Sequence, residues 1–199
     1  MLLVIFAFGS EAINVNCDFY VTGRETFGPL KSPYQCAAKD QKVTGYGSVD
    51  NVLGTHVANK NNSDVKLISL KKIKTERIPK NIHKFFPNLE GIFAFSMGLK
   101  TVGNDDFKNL PKLKYLDMGN NRLDTLPSNL FENNPDLEWI DFSSNYLRNI
   151  GVKLLDPLTK LNFANFEENR CVDRRAQDKT NLHELELVLK SLECRLDDA

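Results

Sequence analysis

The sequence predicts an α/β solenoid, with a short curved parallel sheet along one side and short helical turns along the other. Three observations carry this. A unit of 24 residues recurs: Leu89, Leu113, Leu137 and Leu161 open successive copies, and Val65 opens one more a unit earlier. A fixed period in this range means supersecondary units that stack only on their neighbours. Second, two positions of the unit stay apolar. The fourth reads Ile68, Ile92, Leu116, Ile140, Ala164 and the sixth reads Leu70, Ala94, Met118, Phe142, Phe166. They alternate with polar or variable neighbours, as in a short strand with one buried side. Third, the four cysteines flank the repeats, Cys17 and Cys36 before them, Cys171 and Cys194 after.

The remaining positions complete the unit and point to a family. Leu113-x-x-Leu116-x-Met118-x-x-Asn121-x-Leu123-x-x-Leu126 and Leu137-x-x-Ile140-x-Phe142-x-x-Asn145-x-Leu147-x-x-Ile150 resemble the extracellular, Toll-like type of leucine-rich repeat. The two-cysteine entry and the run Phe85-Phe86-Pro87-Asn88-Leu89 are similar to those of small secreted insect proteins with such repeats. The resemblance spans residues 65–171 strongly and the ends more loosely. It implies a leucine-rich-repeat solenoid with its parallel sheet on the concave side and a disulfide-stapled cap at each end. It also implies a structural role for Asn121, Asn145 and Asn169 at the ninth position, each amide bonding backbone groups freed where the chain leaves the strand. A buried backbone group without a partner costs roughly 1–3 kcal/mol. Ile73 and Met97 replace that Asn in the first two units, which are therefore expected to be looser or differently turned. In the second half of the unit, Phe107, Phe131 and Leu155 share a column, followed by Leu110-Pro111, Asn134-Pro135 and Leu158. These close the convex side, with proline ending each turn.

Four segments follow: a leader at 1–12, an N-terminal cap at 13–64, about five repeats at 65–169 and a C-terminal cap at 170–199. Residues 2–8 are an apolar run followed by Ser10-Glu11-Ala12, which reads as a cleaved secretory leader; a buried N-terminal strand is the competing reading. No later stretch reaches the ~18 apolar residues of a membrane span. Of the three pairings open to four cysteines, the intervening stack of repeats favours Cys17–Cys36 and Cys171–Cys194. Each bridge closes a loop of roughly 20 residues, worth ~3 kcal/mol in the chain-entropy model. Zinc fits poorly, since no Cys-x-x-Cys occurs and the histidines are scattered. From Asn181 to Cys194, Leu182, Leu185, Leu189 and Leu192 fall at helical spacing, with Thr180 or Asn181 as cap. Asn61-Asn62-Ser63 is the one glycosylation sequon, making Asn61 a candidate glycan site on a secreted product.

Lys plus Arg and Asp plus Glu both number 26, so long-range charge gives no reason to expect nucleic acid or an anionic membrane as partner. No nucleophile motif, metal motif or phosphate loop occurs, and His56, His83 and His183 fall in different segments, so neither catalysis nor a cofactor is expected. The resemblance implies binding through the concave face, to an extracellular or cell-surface protein. The third position there reads Leu67, Gly91, Tyr115, Trp139, Phe163, an aromatic stripe to which Phe93 and Phe95 add at its N-terminal end. Neighbouring strands lie about 4.8 Å apart, so the rings form one patch. The competing reading is that they pack on one another to stiffen the sheet. Asp117 and Asp141 add acid to the same face, at a position where Asp is common in such repeats. Lys71, Lys72, Lys74 and Arg77 form a basic cluster, read as a solvated face or a contact for acidic partners. A matrix component and a shortened receptor-like decoy are the alternatives to a recognition module.

Overall fold

The computed structural model describes residues 12–23, 26–42, 47–191 and 194. The leader read at 1–12 lies almost wholly outside these, as does Leu192. The N-terminal segment contributes β1 (Ala12–Val21), β2 (Thr26–Phe27), β3 (Leu30–Lys31), β4 (Tyr34–Ala38), β5 (Gln41–Lys42) and β6 (Ser48–Leu53). The repeats follow with β7 (Leu67–Ser69), β8 (Ile73–Lys74), α1 (Ile82–Phe85), β9 (Gly91–Phe93), α2 (Asn104–Phe107), β10 (Tyr115–Asp117) and β11 (Thr125–Leu126). The chain closes with β12 (Trp139–Asp141), β13 (Asn149–Ile150), β14 (Phe163–Asn165), β15 (Arg175–Ala176) and α3 (Lys179–Leu189).

Every residue of the fourth and sixth columns is fully buried, from Ile68 and Leu70 to Ala164 and Phe166. Their strands pair in parallel and in register, so that Ile68, Ile92, Leu116, Ile140 and Ala164 stand side by side. One nine-stranded sheet results, ordered β15-β14-β12-β10-β9-β7-β4-β1-β6. The cap supplies a parallel strand that the repeat period does not reveal. β4 pairs with β7 and sets Cys36 beside Ile68, extending the buried column by one member. β1 runs antiparallel to β4, and the Cys17–Cys36 disulfide joins them with Cα atoms 5.1 Å apart.

The asparagine ladder works across units. Asn121 Oδ1 accepts from the backbone N–H groups of Met97, Gly98 and Leu99, in the preceding unit. Its Nδ2 donates to the carbonyls of Ala94, Met118 and Gly119. The turn containing Met97 is thus held by its neighbour's amide, and the second unit keeps the common geometry despite lacking its own Asn. Ser96, Asn120, Ser144 and Glu168 all adopt φ between 54° and 58°, one per unit, where the chain leaves each strand. The first unit departs from this. Ile73 N bonds Leu70 O at 2.7 Å and β8 pairs with β5 of the cap. Asn134, which the sequence aligns with Leu110 and Leu158, is a further backbone clamp: its buried amide donates to the carbonyls of Phe107 and Leu110.

At the far end β15 adds antiparallel to β14 and closes the sheet. Helix α3 packs behind it, burying Leu185 and Leu189 with Leu182 and Val188 partly covered. Asp178, rather than Thr180 or Asn181, caps this helix: its Oδ1 accepts from Asn181 N at 2.9 Å, the usual duty of an Ncap carboxylate. Cys171 and Cys194 are bridged with Cα atoms 5.2 Å apart. Among the described residues, no helix is long and apolar enough to cross a membrane.

Candidate functional site

The third position places Leu67, Gly91, Tyr115, Trp139 and Phe163 in one row across the concave face. The row is not the open stripe the sequence suggests. Leu67 is fully buried and Tyr115 is 5% exposed, because the hairpin of β2 and β3 folds from the cap across them. Leu30, Leu67 and Tyr115 form a second apolar cluster, with Phe27, Phe93 and Trp139 packed around it. Phe27 meets the edges of Phe93 and Tyr115, its ring centroid 5.8 Å from each. Covering so continuous an apolar row removes it from water at roughly 25 cal/mol per Å².

Two glycines make that approach possible. A Cβ on Gly91 would lie 2.6 Å from Leu30 Cδ1, so the absent side chain leaves the space that Leu30 fills. Gly28 has φ of +53° and opens the two-residue loop Gly28-Pro29, the place where a II′ hairpin turn needs positive φ. The signal was present as Phe27-Gly28-Pro29-Leu30, a Gly-Pro turn between two apolar residues. Its destination on the concave face was not.

Toward the C-terminal repeats the face is only partly covered. Trp139 and Phe163 are half-buried and stack with centroids 3.5 Å apart and planes 10° from parallel. Phe93 and Phe95 do not extend this row. Phe93 belongs to the fifth position, in register with Ser69 and Asp117, and Phe95 stacks on it, exposed, 6.1 Å away.

The fifth position continues with Asp117, Asp141 and Asn165, all three held by local hydrogen bonds. Their Oδ1 atoms accept from the backbone N–H two residues on, those of Gly119, Ser143 and Glu167, at 2.8–3.0 Å. Asp117 Oδ2 also accepts from the Tyr115 hydroxyl at 3.2 Å, and Asp141 Oδ2 from Asn165 Nδ2 at 3.1 Å. The face is not open around Asp117. Burial pushes its carboxyl up to about 6, the charge of Asp141 adds to this, and the Gly119 N–H opposes it. Burial likewise pushes the Tyr115 hydroxyl far up. Along one rim Glu90 takes ammonium hydrogen bonds from Lys66 at 2.6 Å and Lys114 at 3.0 Å. Burial works against its carboxylate, but these two bonds outweigh it and hold the carboxyl below its usual range.

The other singled-out residues do not converge. His56 sits between Tyr34 and Asn62, 2.9 Å from each, while His83 and His183 lie in α1 and α3. No trio of His, Cys, Asp and Glu among the described residues could hold a metal ion. The basic cluster divides: Lys71 lies over the Phe93 ring, and Arg77 lines a separate pocket with Asp105 and Asp106. Asn61 is exposed at the head of a short 3₁₀ turn, its Oδ1 accepting from Ser63 N and its own N–H donating to Asp64.

A family model described as Leucine rich repeat matches residues 96–147. No curated protein matches the sequence. Among solved structures, a chain of the Toll–Spatzle complex, described as a molecular hub in Drosophila development and innate immunity, superposes with a TM-score of 0.51 at 21% identity. That match covers 61% of this chain and 17% of the other. A chain of the LRIM1/APL1C complex superposes with a TM-score of 0.52 at 19% identity, covering 79% of this chain and 31% of the other. The protein thus spans less than a third of the length of either. At such identities the likeness speaks for the fold. With the 24-residue units, their stacked parallel strands and the matched residues 96–147, this chain has the leucine-rich-repeat fold.

Proposed function

We propose that this protein is an extracellular recognition module that binds a protein partner through the half of its concave face that the hairpin leaves uncovered. The observation that carries this is the Trp139–Phe163 stack, half-buried with part of its surface still exposed, with Asp141 and the largely covered Asp117 in the adjoining column. Exposed aromatics flanked by polar groups are where interface energy concentrates. Neither aspartate is in an ion pair among the described residues, so the partner is one presenting apolar and basic side chains. Two disulfides and the sequon at Asn61 support secretion, with a glycan at Asn61 projecting from the cap.

A binding screen against secreted proteins and cell-surface ectodomains tests the reading, with Trp139→Ala/Phe163→Ala run beside Lys71→Gln/Lys72→Gln. The aromatic variant is expected to lose a partner that the lysine variant keeps, by about 2 kcal/mol or more if the stack is a hot spot. Partners held equally by both variants contradict the assignment.

A further inference from the structure

A second concavity lies at the other end of the face, where the cap meets the repeats, and neither Trp139 nor Phe163 lines it. It is a pocket of about 410 Å³. Its floor is made of small side chains, Ala37 of β4 and Ser69 of β7, which stand opposite each other in the parallel pairing. Phe27 of the hairpin, with Phe93 against it, forms an aromatic wall.

The polar groups of this pocket are asymmetric. Gln35 lies two residues before Ala37 on the same side of β4, lines the pocket and is 2% exposed. Its Oε1 has no hydrogen-bond partner. Buried acceptors are nearly always satisfied, and of the two orphan ones among the described residues, Gln35 Oε1 and Asn134 Oδ1, only Gln35 belongs to a residue that lines this empty volume. At the mouth stand Lys71 and Lys72, both exposed and neither in an ion pair among the described residues. Asp18 also lines the rim, but Lys39 holds it at 3.0 Å. The mouth therefore presents positive charge, the wall presents ring faces and edges, and one unmet acceptor lies covered beneath the floor.

We infer that this pocket binds a small planar organic anion carrying a hydrogen-bond donor, of the aromatic carboxylic acid class. The ring lies against Phe27 above Ala37, the carboxylate meets Lys71 and Lys72, and a turn of the Gln35 side chain brings its Oε1 to an N–H or O–H of the ligand. The volume suits such a molecule, since ligand pockets run from roughly 300 to 1,000 Å³.

Calorimetric titration of the full chain with indole-3-acetate and 4-hydroxyphenylacetate tests this, with 1-methylindole-3-acetate and indole-3-acetamide as analogues lacking the donor or the charge. At least one acid is expected to bind saturably at one site. Removing donor or charge should weaken that binding by about tenfold or more. Gln35→Met is the decisive variant. It should erase the preference for the donor-bearing acid while leaving the melting temperature of the ligand-free protein unchanged or higher, because an unmet buried acceptor has been removed. Lys71→Gln/Lys72→Gln should erase the preference for the anion. Absence of saturable binding by both acids overturns the inference. So does equal binding of all the analogues, and so does a Gln35→Met protein that melts lower than the original, which would make Gln35 a structural residue.

Discussion

Gly28 rests against the indole of Trp139 so closely that a Cβ on it would stand 2.9 Å from the ring's Cγ and Cδ2, and equally close to Tyr115 Cδ2. This contact joins the turn of the cap hairpin to the middle of the repeat array. Gly28→Ala meets two penalties at once, since φ is +53° and the new methyl has no space. We expect a loss of about 1–3 kcal/mol in urea denaturation. A variant as stable as the original would show that the hairpin is not docked on those rings.

The asparagines should rank by the number of backbone N–H groups they satisfy. Asn121 Oδ1 accepts three, whereas Asn145 and Asn169 each accept one, from Leu123 and Leu147. Each buried group left unmet costs about 1–3 kcal/mol. Asn121→Ala should therefore be the most destabilising of the three, and Asn169→Ala, only part-buried at the last repeat, the least. Equal losses measured by denaturation would mean that the three turns are not held as described.

The contacts behind these two predictions differ in how far the sequence reveals them. The buried columns were legible because each unit repeats the same few contacts 24 residues apart. Cys36 belongs to the fourth column too, but its spacing from Ile68 breaks the period, so no repeat marks the extra strand. The docking of Gly28 on Trp139 depends on two residues from opposite halves of the chain, and no local pattern records such a contact. Asn134 shares a column with Leu110 and Leu158, and its partners, two backbone carbonyls, leave no trace in residue types. The acidic pair was visible as a column, while the N–H groups of Gly119 and Ser143 that hold it were not.

Asp117 should make stability depend on pH with an unusual sign. Its carboxyl in the folded protein sits at about 6, above the ordinary 3.8. The folded state thus holds the proton more tightly, so this stabilisation is fully present below about pH 4 and lost as pH rises through 6. Asp117→Asn, which keeps an acceptor for Gly119 N and carries no charge, is expected to exceed the original in stability at pH 7.5, by at most about 3 kcal/mol. The gap should close toward pH 4. A difference that does not change between those two pH values would contradict the buried, unpaired carboxylate.

Removing the C-terminal bridge by Cys171→Ser/Cys194→Ser frees a loop whose ends lie 23 residues apart, costing about 3 kcal/mol. The loss should appear first as faster hydrogen exchange in α3 and β15, because a solenoid frays from an uncapped end. Uniform acceleration across β7 to β14 instead would mean that the cap and the repeats unfold as one unit.

The covering of the concave face is tested most directly by collisional quenching of Trp139, the single tryptophan of the chain. Acrylamide quenching is compared between the original protein and Phe27→Ala/Leu30→Ala, with far-ultraviolet circular dichroism to show that the repeats remain folded. If the hairpin lies on the aromatic row, the variant's tryptophan is quenched more readily and its emission moves to the red. Identical quenching and emission in the two proteins would contradict it.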